Sequence, residues 1–473
     1  MLLRNRQYSL KKQQNEGRCG HKSATSFFIG DVMRKNGLIW TCIVLIVCCL
    51  LLSGSVLWNY FEKNKEQEAV AGNNTQMNET TDLLDKIEND ITEDIEKEEK
   101  ETRKIHLMMT GDNLMHLSVV NSGLQADGSR NYDFMFEPIK DYLALADIKI
   151  TNQETILGGN QLGFSAYPRF NSPTEVGDGI ANAGFNVVLH ATNHAADKGI
   201  EGINNCIDFW EKYPEIVMTG IFKEIDEPNQ DIGLLTIDGV TFAILNYTYS
   251  PNLSTLPKWL QGHLAMLCDW NKKTGKIDFK TIHPDVLTDI AAAKEVADVV
   301  IVCPHWGNEY TFIPTVYQKA FAKQMTEAGA DLILGTHPHV IQPIEWIEAE
   351  NGNRALCYYS LGNYVSTQDK AKTMLEAMAW VTFETDGETV EILEAETGAI
   401  PMVYQFQNDY RFGNVYFLDD YTDELAHSHG ILRHCGSEFC VENLEKWADE
   451  VLGEWRLPSE DVLKEKVDYE IWR

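Results

Sequence analysis

The sequence has few basic residues for its length. Its 473 residues include 40 Lys or Arg against 71 Asp or Glu, which gives a formal net charge of -31 at pH 7. A nucleic acid would be repelled by such a protein unless a local basic patch attracted it, and we find no such patch beyond the first 40 residues. The charge balance therefore argues against nucleic acid as the main partner.

A pattern of cysteines typical of a disulfide framework is also lacking, although the chain contains 10 of them. Several lie in apolar runs, where we expect buried thiols: Cys42, Cys48, Cys49, Cys303 and Cys357. Only Cys435 and Cys440 have a spacing and a polar setting that suit a local bridge, and the sequence leaves open whether they form one.

Charge is missing altogether from residues 38–60, where most side chains are apolar and Trp40, Trp58 and Tyr60 lie near the two ends. A helix of this length covers the hydrocarbon core of a bilayer, which is about 30 Å thick. A cleaved signal peptide is the competing interpretation, but the run is longer than a signal core and follows an unusually long tail. We predict an uncleaved transmembrane signal anchor.

The flanking segments give this anchor an orientation. Residues 1–37 form a basic tail with eight Lys or Arg against two acids, and residues 61–103 form an acidic, polar linker. Positive flanks stay on the cytoplasmic side, so we expect a single-pass protein of the cell membrane with a cytoplasmic N-terminus and an extracellular domain. The linker needs no binding role beyond that of a spacer.

From residue 104 onward, apolar strand-like runs alternate with amphipathic helical ones, which predicts an α/β domain over residues 104–400. Strands are expected at 104–109, 146–150, 185–189, 299–302, 331–334 and 355–359, and helices at 138–145, 200–210, 284–297 and 316–328. Two Asp-Gly pairs, at 238–239 and 386–387, predict hairpin turns and hence mixed sheets. Residues 401–473 are interpreted as a C-terminal extension, which packs on the core or contacts a partner.

Potential metal ligands follow the predicted strands, and loops at the carboxyl edge of α/β sheets meet in one crevice. The donors are carboxylates, an amide and imidazoles: Asp112, Glu154, Asn193, His194, His305, His337 and His339. Pro338 favours an extended backbone at His337, so both imidazoles of the His-Pro-His segment are expected to project to one side. A turn whose histidines bond only to backbone is the alternative for that segment taken alone.

Seven donors exceed the needs of one tetrahedral ion and favour two divalent ions, of Mn, Zn or Fe, that share a bridging carboxylate. Two ions about 3.5–4 Å apart clamp a substrate oxygen and lower the pKa of a bridging water. The natural chemistry of such a site is hydrolysis of a phosphoester or another polar electrophile.

Motifs spread over residues 104–366 resemble those of the CapA family of poly-γ-glutamate capsule synthesis proteins, a branch of the calcineurin-like metallophosphoesterase superfamily. The resemblance rests on Gly111-Asp112, Asn152-Gln153-Glu154, Thr192-Asn193-His194, His305-Trp306-Gly307, Gly335-Thr336-His337-Pro338-His339 and Ser360-Leu361-Gly362-Asn363-Tyr364. It implies a four-layer α/β/β/α sandwich and a role in making or exporting an anionic polymer, with capsule synthase membrane components as partners.

The resemblance also implies a role for each donor. Asp112 and His339 would bind the first metal, Glu154 would bridge, the second metal would be held by Asn193, His305 and His337, and His194 would be the general acid. The superfamily commonly has a His two residues after the first Asp, where this chain has Leu114. The first metal is then weak or absent unless water, His116 or another residue completes it.

Four further residues near the motifs are candidates for contacts with the substrate or with the metal ligands. Tyr310 would line the cleft, and Arg169 would receive an anionic group. Glu309 would orient His305, and Asn363 would hydrogen-bond at the edge of the site.

Three functions fit these features. The first is a membrane-anchored capsule protein with a metal-dependent, hydrolase-like site. The second is an envelope phosphoesterase that acts on nucleotides, lipid phosphates or wall polymers. The third, favoured by Leu114, is a non-catalytic scaffold of a synthesis complex.

Overall fold

The computed structural model describes residues 102–223 and 232–464. The predicted basic tail, the anchor at 38–60 and almost all of the acidic linker lie outside the described residues. Within 102–223 and 232–464, no helix is both long and apolar enough to cross a membrane.

Strands dominate the described chain, and short helices connect many of them. The strands are β1 (Arg103–Asn113), β2 (Ile148–Asn152), β3 (Val187–Leu189), β4 (Val217–Thr219), β5 (Gly233–Ile237), β6 (Val240–Thr248), β7 (Cys268–Trp270), β8 (Ile277–Ile282), β9 (Val299–His305), β10 (Leu332–Leu334), β11 (Ile344–Glu348), β12 (Arg354–Tyr358), β13 (Asn363–Val365), β14 (Leu375–Thr385), β15 (Val390–Ile392), β16 (Gly398–Phe406) and β17 (Phe412–Phe417). The α-helices are α1 (Leu117–Ser122), α2 (Lys140–Leu145), α3 (Glu175–Ala183), α4 (Gly199–Trp210), α5 (Pro284–Lys294), α6 (Val316–Ala328), α7 (Asp423–Ser428), α8 (Leu432–Cys435) and α9 (Val441–Leu452).

Two mixed sheets form the centre of this structure. A nine-stranded sheet has the order β17-β16-β14-β1-β2-β3-β4, with β13 paired to β1 and β15 paired to β14. A six-stranded sheet has the order β11-β12-β10-β9-β6-β5. The sheets face each other, since the Phe242 ring on β6 lies 5.2 Å from the Phe383 ring on β14 and the Tyr358 hydroxyl on β12 donates to the Gly398 carbonyl on β16 at 2.9 Å. The mixed α/β architecture predicted from the sequence is confirmed.

In each sheet, the strands that lead to the predicted metal ligands run parallel. β1 pairs in parallel with β2, and β2 with β3. In the other sheet β9 pairs in parallel with β6 and with β10. Parallel neighbours end at the same edge of a sheet, so their carboxyl ends are brought together.

Local sequence explains where the regular elements begin and end. The Thr315 side chain accepts the Gln318 N–H and the Gln318 side chain accepts the Thr315 N–H, which fixes the start of α6, and Gly329 at φ 118° ends it. The predicted Asp-Gly turn joins β5 to β6 with positive φ at Asp238 and Gly239.

The boundary predicted at residue 400 falls inside β16 and has to be corrected. β16 pairs with β14 from Gly398 to Val403, and β17 pairs with β16, so residues 398–417 are part of the nine-stranded sheet. The sequence does not reveal this, because a strand adjacent to β14 is identified only by its pairing. Cys435 and Cys440 are free thiols.

Candidate metal centre

The predicted donors leave neighbouring strands and meet in the interior. Asp112 lies in the last part of β1, Glu154 follows β2 by two residues, and His305 is the last residue of β9. All three are fully buried. Their convergence follows from the parallel pairing, which places these strand ends side by side.

One group of donor atoms surrounds Glu154 Oε1. His305 Nε2 lies 3.0 Å from Asn193 Oδ1 and 4.0 Å from Glu154 Oε1. Glu154, His337 and His339 can each offer a ligand atom within 4.8 Å of the others. Two ligands that each lie about 2.1 Å from one ion are themselves about 3 Å apart or a little more. The separation of His305 Nε2 and Asn193 Oδ1 fits this geometry, and the other donor atoms would have to move closer together to share one cation.

A second group surrounds the other oxygen of the same carboxylate. His339 Nδ1 lies 3.8 Å from Glu154 Oε2 and 3.3 Å from Asp112 Oδ2. Asp112 also accepts hydrogen bonds from Asn152 Nδ2 at 2.7 Å and from the His337 N–H at 3.2 Å. Glu154 therefore directs one oxygen at each group of donors, as a bridging carboxylate would.

Several of the donor atoms are buried without a hydrogen bond. Both carboxylate oxygens of Glu154 and Nδ1 of His337 have no hydrogen-bond partner among the described residues. Leaving a buried polar atom unpaired costs about 1–3 kcal/mol. A divalent cation would satisfy all three atoms, so the residues present fit the metal that the resemblance implies.

The pKa shifts favour the metal-binding form at His305 and His337, whereas Glu154 and His339 would have to release a proton when a cation binds. Burial and the nearby Asp112 carboxylate raise the pKa of Glu154, although His339 opposes the rise. Burial and neighbouring histidines lower the pKa values of His305 and His337, which keeps both rings in the neutral form that binds metals. Burial alone would lower the pKa of His339, but Glu154 and Asp112 raise it to about 9.

The His-Pro-His backbone differs from the extended conformation expected from the sequence. His337 has φ 95° and His339 has φ 58°, both in the left-handed region that side chains other than glycine rarely adopt. The two rings lie 5.6 Å apart, near Glu154. The prediction of an extended backbone was wrong, because contacts across the site outweigh the local preference set by Pro338.

Leu114 is buried and lines the same cleft as His339, on the side of the donors predicted for the first metal, and it supplies no ligand. Of the donors predicted for the first metal, this side holds Asp112, Glu154 and His339. The second side combines Glu154 with Asn193, His305 and His337, and is the more complete of the two.

His194 lies at the edge of the metal-binding residues, with one ring nitrogen engaged. Its Nδ1 is 2.7 Å from Asp197 Oδ2, which accepts the Nδ1 proton, and the Phe170 ring packs edge-on at 4.6 Å. Nε2 lies 3.5 Å from Asn252 Nδ2, while Asn252 Oδ1 accepts from Asn193 Nδ2 at 3.2 Å. Asn252 thus connects the proposed general acid to a metal ligand.

A cleft of about 1480 Å³ opens above these residues. Arg169, Glu309 and Tyr310 line it, and Arg169 is exposed. Residues from the C-terminal part of the chain, Tyr410 and His434, also line it and bond to each other at 2.7 Å. The cleft gives substrates access to His194 and His339.

Two of the predicted metal ligands make hydrogen bonds with neighbouring side chains. Thr336 Oγ1, rather than Glu309, contacts Nδ1 of His305 at 2.9 Å. Asn363 Oδ1 accepts from Nδ1 of His339 at 2.9 Å, so His339 would bind a metal through Nε2 rather than through the Nδ1 that lies near Glu154 and Asp112.

Sequence reasoning missed three residues that support the site: Asn152, Asn252 and Thr336. Thr336 and Asn152 belong to motifs that were recognised, but their contacts join segments far apart in the chain. Asn252 follows β6, so extending the search for strand-end donors to that strand would have found it.

The family model described as "Bacterial capsule synthesis protein PGA_cap" matches residues 106–368, a range that contains every predicted donor. The chain belongs to this family. The resemblance stated from the motifs is therefore confirmed, while Tyr410 and His434 lie beyond the matched range.

Two PGA_cap relatives come from Bacillus. The chain is 30% identical over 210 residues to the PGA biosynthesis protein CapA of Bacillus subtilis, covering 44% of this chain and 50% of that protein. It is 28% identical over 302 residues to the capsule biosynthesis protein CapA of Bacillus anthracis, covering 62% of this chain and 67% of that one. The first match thus spans half the length of the relative.

Among solved structures, the chain is similar to the sulfate thiohydrolase SoxB of Thermus thermophilus, determined in complex with glycerol. The TM-score is 0.33 at 12% sequence identity, and the alignment covers 68% of this chain and 46% of that one.

Proposed function

We propose that this PGA_cap protein is a metal-dependent hydrolase or transferase acting on an anionic capsule polymer, with poly-γ-glutamate as the first candidate substrate. The proposal includes a calcineurin-like four-layer sandwich and a pair of divalent ions, the first held more weakly than the second. It also includes a membrane anchor at residues 38–60, an extracellular domain and contacts with membrane components of a capsule synthase.

The observation that carries the proposal is the arrangement of donors around Glu154. Its two buried, unpaired oxygens face two separate sets of donors, one with Asp112 and His339 and one with Asn193 and His305. A buried carboxylate without partners destabilises a protein. Because imidazole and carboxylate donors surround Glu154, a bound cation would remove that cost there. The capsule function is supported by the family and by the names of the Bacillus relatives.

When bound, divalent ions would supply Lewis-acid polarisation of a substrate oxygen and would activate a water molecule for attack. In this proposal His194 acts on the leaving group. Asp197 holds its Nδ1 proton, so its Nε2 is the atom that can deliver a proton to the leaving oxygen. Asp197 also stabilises the positive charge that His194 carries before the transfer.

The test uses the full chain, purified and loaded with Mn. We expect bound Mn by elemental analysis and Mn-dependent shortening of poly-γ-glutamate or release of nitrophenol from model phosphoesters. His194→Ala should lower turnover by about 10²–10⁴-fold while Mn remains bound. Replacing both His337 and His339 by Ala should abolish Mn binding, and His427→Ala, at an exposed position, is the matched control.

The two substrates separate the two enzymatic functions, since hydrolysis of nitrophenyl phosphoesters without polymer shortening would favour the envelope phosphoesterase. Absence of bound Mn in the wild-type chain would contradict the proposal. Bound Mn without turnover of either substrate would instead favour the scaffold, whose specific support is the donor lost at Leu114.

A further inference from the structure

His116 lies close to the incomplete first metal group, in the segment between β1 and α1. It is half-buried and lines the same cleft as His194 and His339. The sequence leaves it as a candidate to replace the ligand that Leu114 lacks. The hydrogen bonds around its ring indicate a different role.

One nitrogen of the His116 ring is turned to the backbone. The Thr367 N–H donates to Nδ1 at 3.2 Å, the one acceptor we find for this N–H among the described residues. The same Nδ1 lies 3.2 Å from the Leu114 carbonyl oxygen, but that oxygen already accepts the His116 N–H at 2.9 Å. Satisfying the Thr367 N–H therefore requires a lone pair on Nδ1, which places the ring proton on Nε2.

The environment keeps the ring neutral. Burial lowers the pKa of His116 to about 4; the Leu114 carbonyl oxygen near Nδ1 opposes this shift, and the charges of His339 and His194 add to it. The Phe170 ring packs edge-on against His116 at 5.4 Å and against His194 at 4.6 Å, so it lies next to both histidines. Nε2 is therefore the ring nitrogen of His116 that remains available to a ligand in the cleft.

A histidine that binds a metal needs an unprotonated nitrogen, and that nitrogen must lie near the other donors. His116 meets neither requirement. Its Nδ1 is used by the backbone and its Nε2 carries the proton. Among the described residues, no carboxylate oxygen lies within 4.0 Å of a His116 nitrogen, whereas His305 and His339 each have such neighbours.

We propose that His116 is a substrate-binding residue whose Nε2–H donates a hydrogen bond to an anionic oxygen of the substrate in the cleft. Phosphoryl and carboxylate oxygens both accept such a bond. The inference rests on the proposed function, which supplies the anionic substrate, and it assigns to His116 a role other than completing the first metal. A hydrogen bond to a charged group contributes about 1.5–3 kcal/mol, or about tenfold to hundredfold in affinity.

The test titrates the Mn-loaded full chain with inorganic phosphate and, separately, with glutarate, using calorimetry. His116→Leu should weaken binding of at least one anion by about tenfold or more without changing the Mn content. His116→Gln retains an N–H donor and should restore part of the affinity. His263→Leu is the matched control, since His263 is also half-buried and contacts a backbone carbonyl, that of Phe222, at 2.9 Å away from the cleft lining.

A fall in Mn content in both His116 variants would identify a metal ligand and overturn the proposal. Unchanged affinity for both anions in folded variants, or no binding of either anion by the wild-type chain, would also overturn it. If the Leu variant does not fold, two other measurements decide: the anion affinity of the Gln variant and the tautomer of His116 in the wild-type chain. If the Gln variant binds as tightly as the wild-type chain, a Nδ1–H tautomer contradicts the proposal and a Nε2–H tautomer supports it.

The tautomer is measured by ¹⁵N NMR on histidine-labelled full chain without metal or substrate, and the His116→Gln spectrum assigns the signal. We expect a Nε2–H tautomer at neutral pH. Because this measurement needs no turnover, it separates the two failures: an inactive wild-type chain with the Nε2–H signal and anion binding intact contradicts the proposed function alone.

Discussion

At the scale of single residues, the site depends on partners that fix which ring nitrogen each histidine presents. Thr336 Oγ1 contacts Nδ1 of His305, which leaves Nε2 facing Asn193 and Glu154. Asn363 plays the same part for His339. Partners of this kind orient a ring before a metal arrives and raise affinity by removing alternative orientations.

Thr336→Val keeps the size of this side chain and removes the oxygen that contacts His305. We expect the affinity of the second metal to fall by about tenfold to hundredfold, measured by titrating the metal-free full chain with Mn. Thr236→Val, the same substitution at an exposed position on β5, is the control. Equal loss of affinity in both variants would show that Thr336 has no orienting role.

The sequence predicts the donors better than their partners. Asp112, Glu154 and His305 were found because each lies at or just after an apolar strand. The contact between Thr336 and His305 was missed because it depends on an isolated parallel bridge between these two residues, which no local pattern encodes. The positive φ of His337 was missed for the same reason, since the contacts that impose it come from other segments.

At the scale of elements, agreement between sequence and structure is best where local chemistry defines both ends. Helix α6 spans the predicted residues, since its capping residues and terminal glycine are local signals. The Asp-Gly pair at 386–387 predicts a hairpin but does not give the length of β14, which begins at Leu375, is buried between β1 and β16, and contains a polar residue that interrupts the apolar pattern.

That polar residue, Glu376, makes β14 sensitive to pH. It is fully buried, its carboxylate oxygens have no hydrogen-bond partner among the described residues, and burial raises its pKa well above the ordinary 4.5. The pKa of Glu376 is higher in the folded state than in the unfolded state, so the folded state has its full stability at pH values below the unfolded-state pKa. That stability falls as the pH rises toward the folded-state pKa of Glu376.

We therefore expect Glu376→Gln to be more stable than the wild-type chain at pH 8, by about 1–3 kcal/mol in the free energy of unfolding. The difference should shrink at pH 5, where the wild-type carboxyl is closer to neutral in both states. Denaturant unfolding at the two pH values measures this. Glu391→Gln, at an exposed position on β15, should show no such dependence, and a constant difference for Glu376→Gln would contradict the argument.

At the scale of the whole molecule, the nine-stranded sheet is assembled from both ends of the described chain. β1 begins at Arg103, and its neighbour β14 is covered on the other side by β16 and β17. Sequence patterns gave the mixed α/β class and the motif order. They could not give this pairing, because β16 lies more than 280 residues after β1 begins.

A chain that stops after residue 400, the boundary predicted from sequence, should not fold. It would retain only residues 398–400 of β16, and the buried residues Leu375 and Ala377 on β14 would lose the β16 residues that pair with them. We expect aggregation and loss of the cooperative unfolding transition, measured by size-exclusion chromatography and denaturant unfolding. A chain that stops after residue 464 keeps every described residue and serves as the control; a folded, monomeric product from the shorter chain would contradict the expectation.

The pair formed by Tyr410 and His434 has an evolutionary consequence. Both residues border the cleft, yet they come from sequence that follows the PGA_cap match, which ends at residue 368. Mutations of Tyr410 or His434 can alter what enters the cleft while the predicted metal ligands stay unchanged. Related proteins could thus diverge in what the cleft admits while the buried donors around Glu154 remain unchanged.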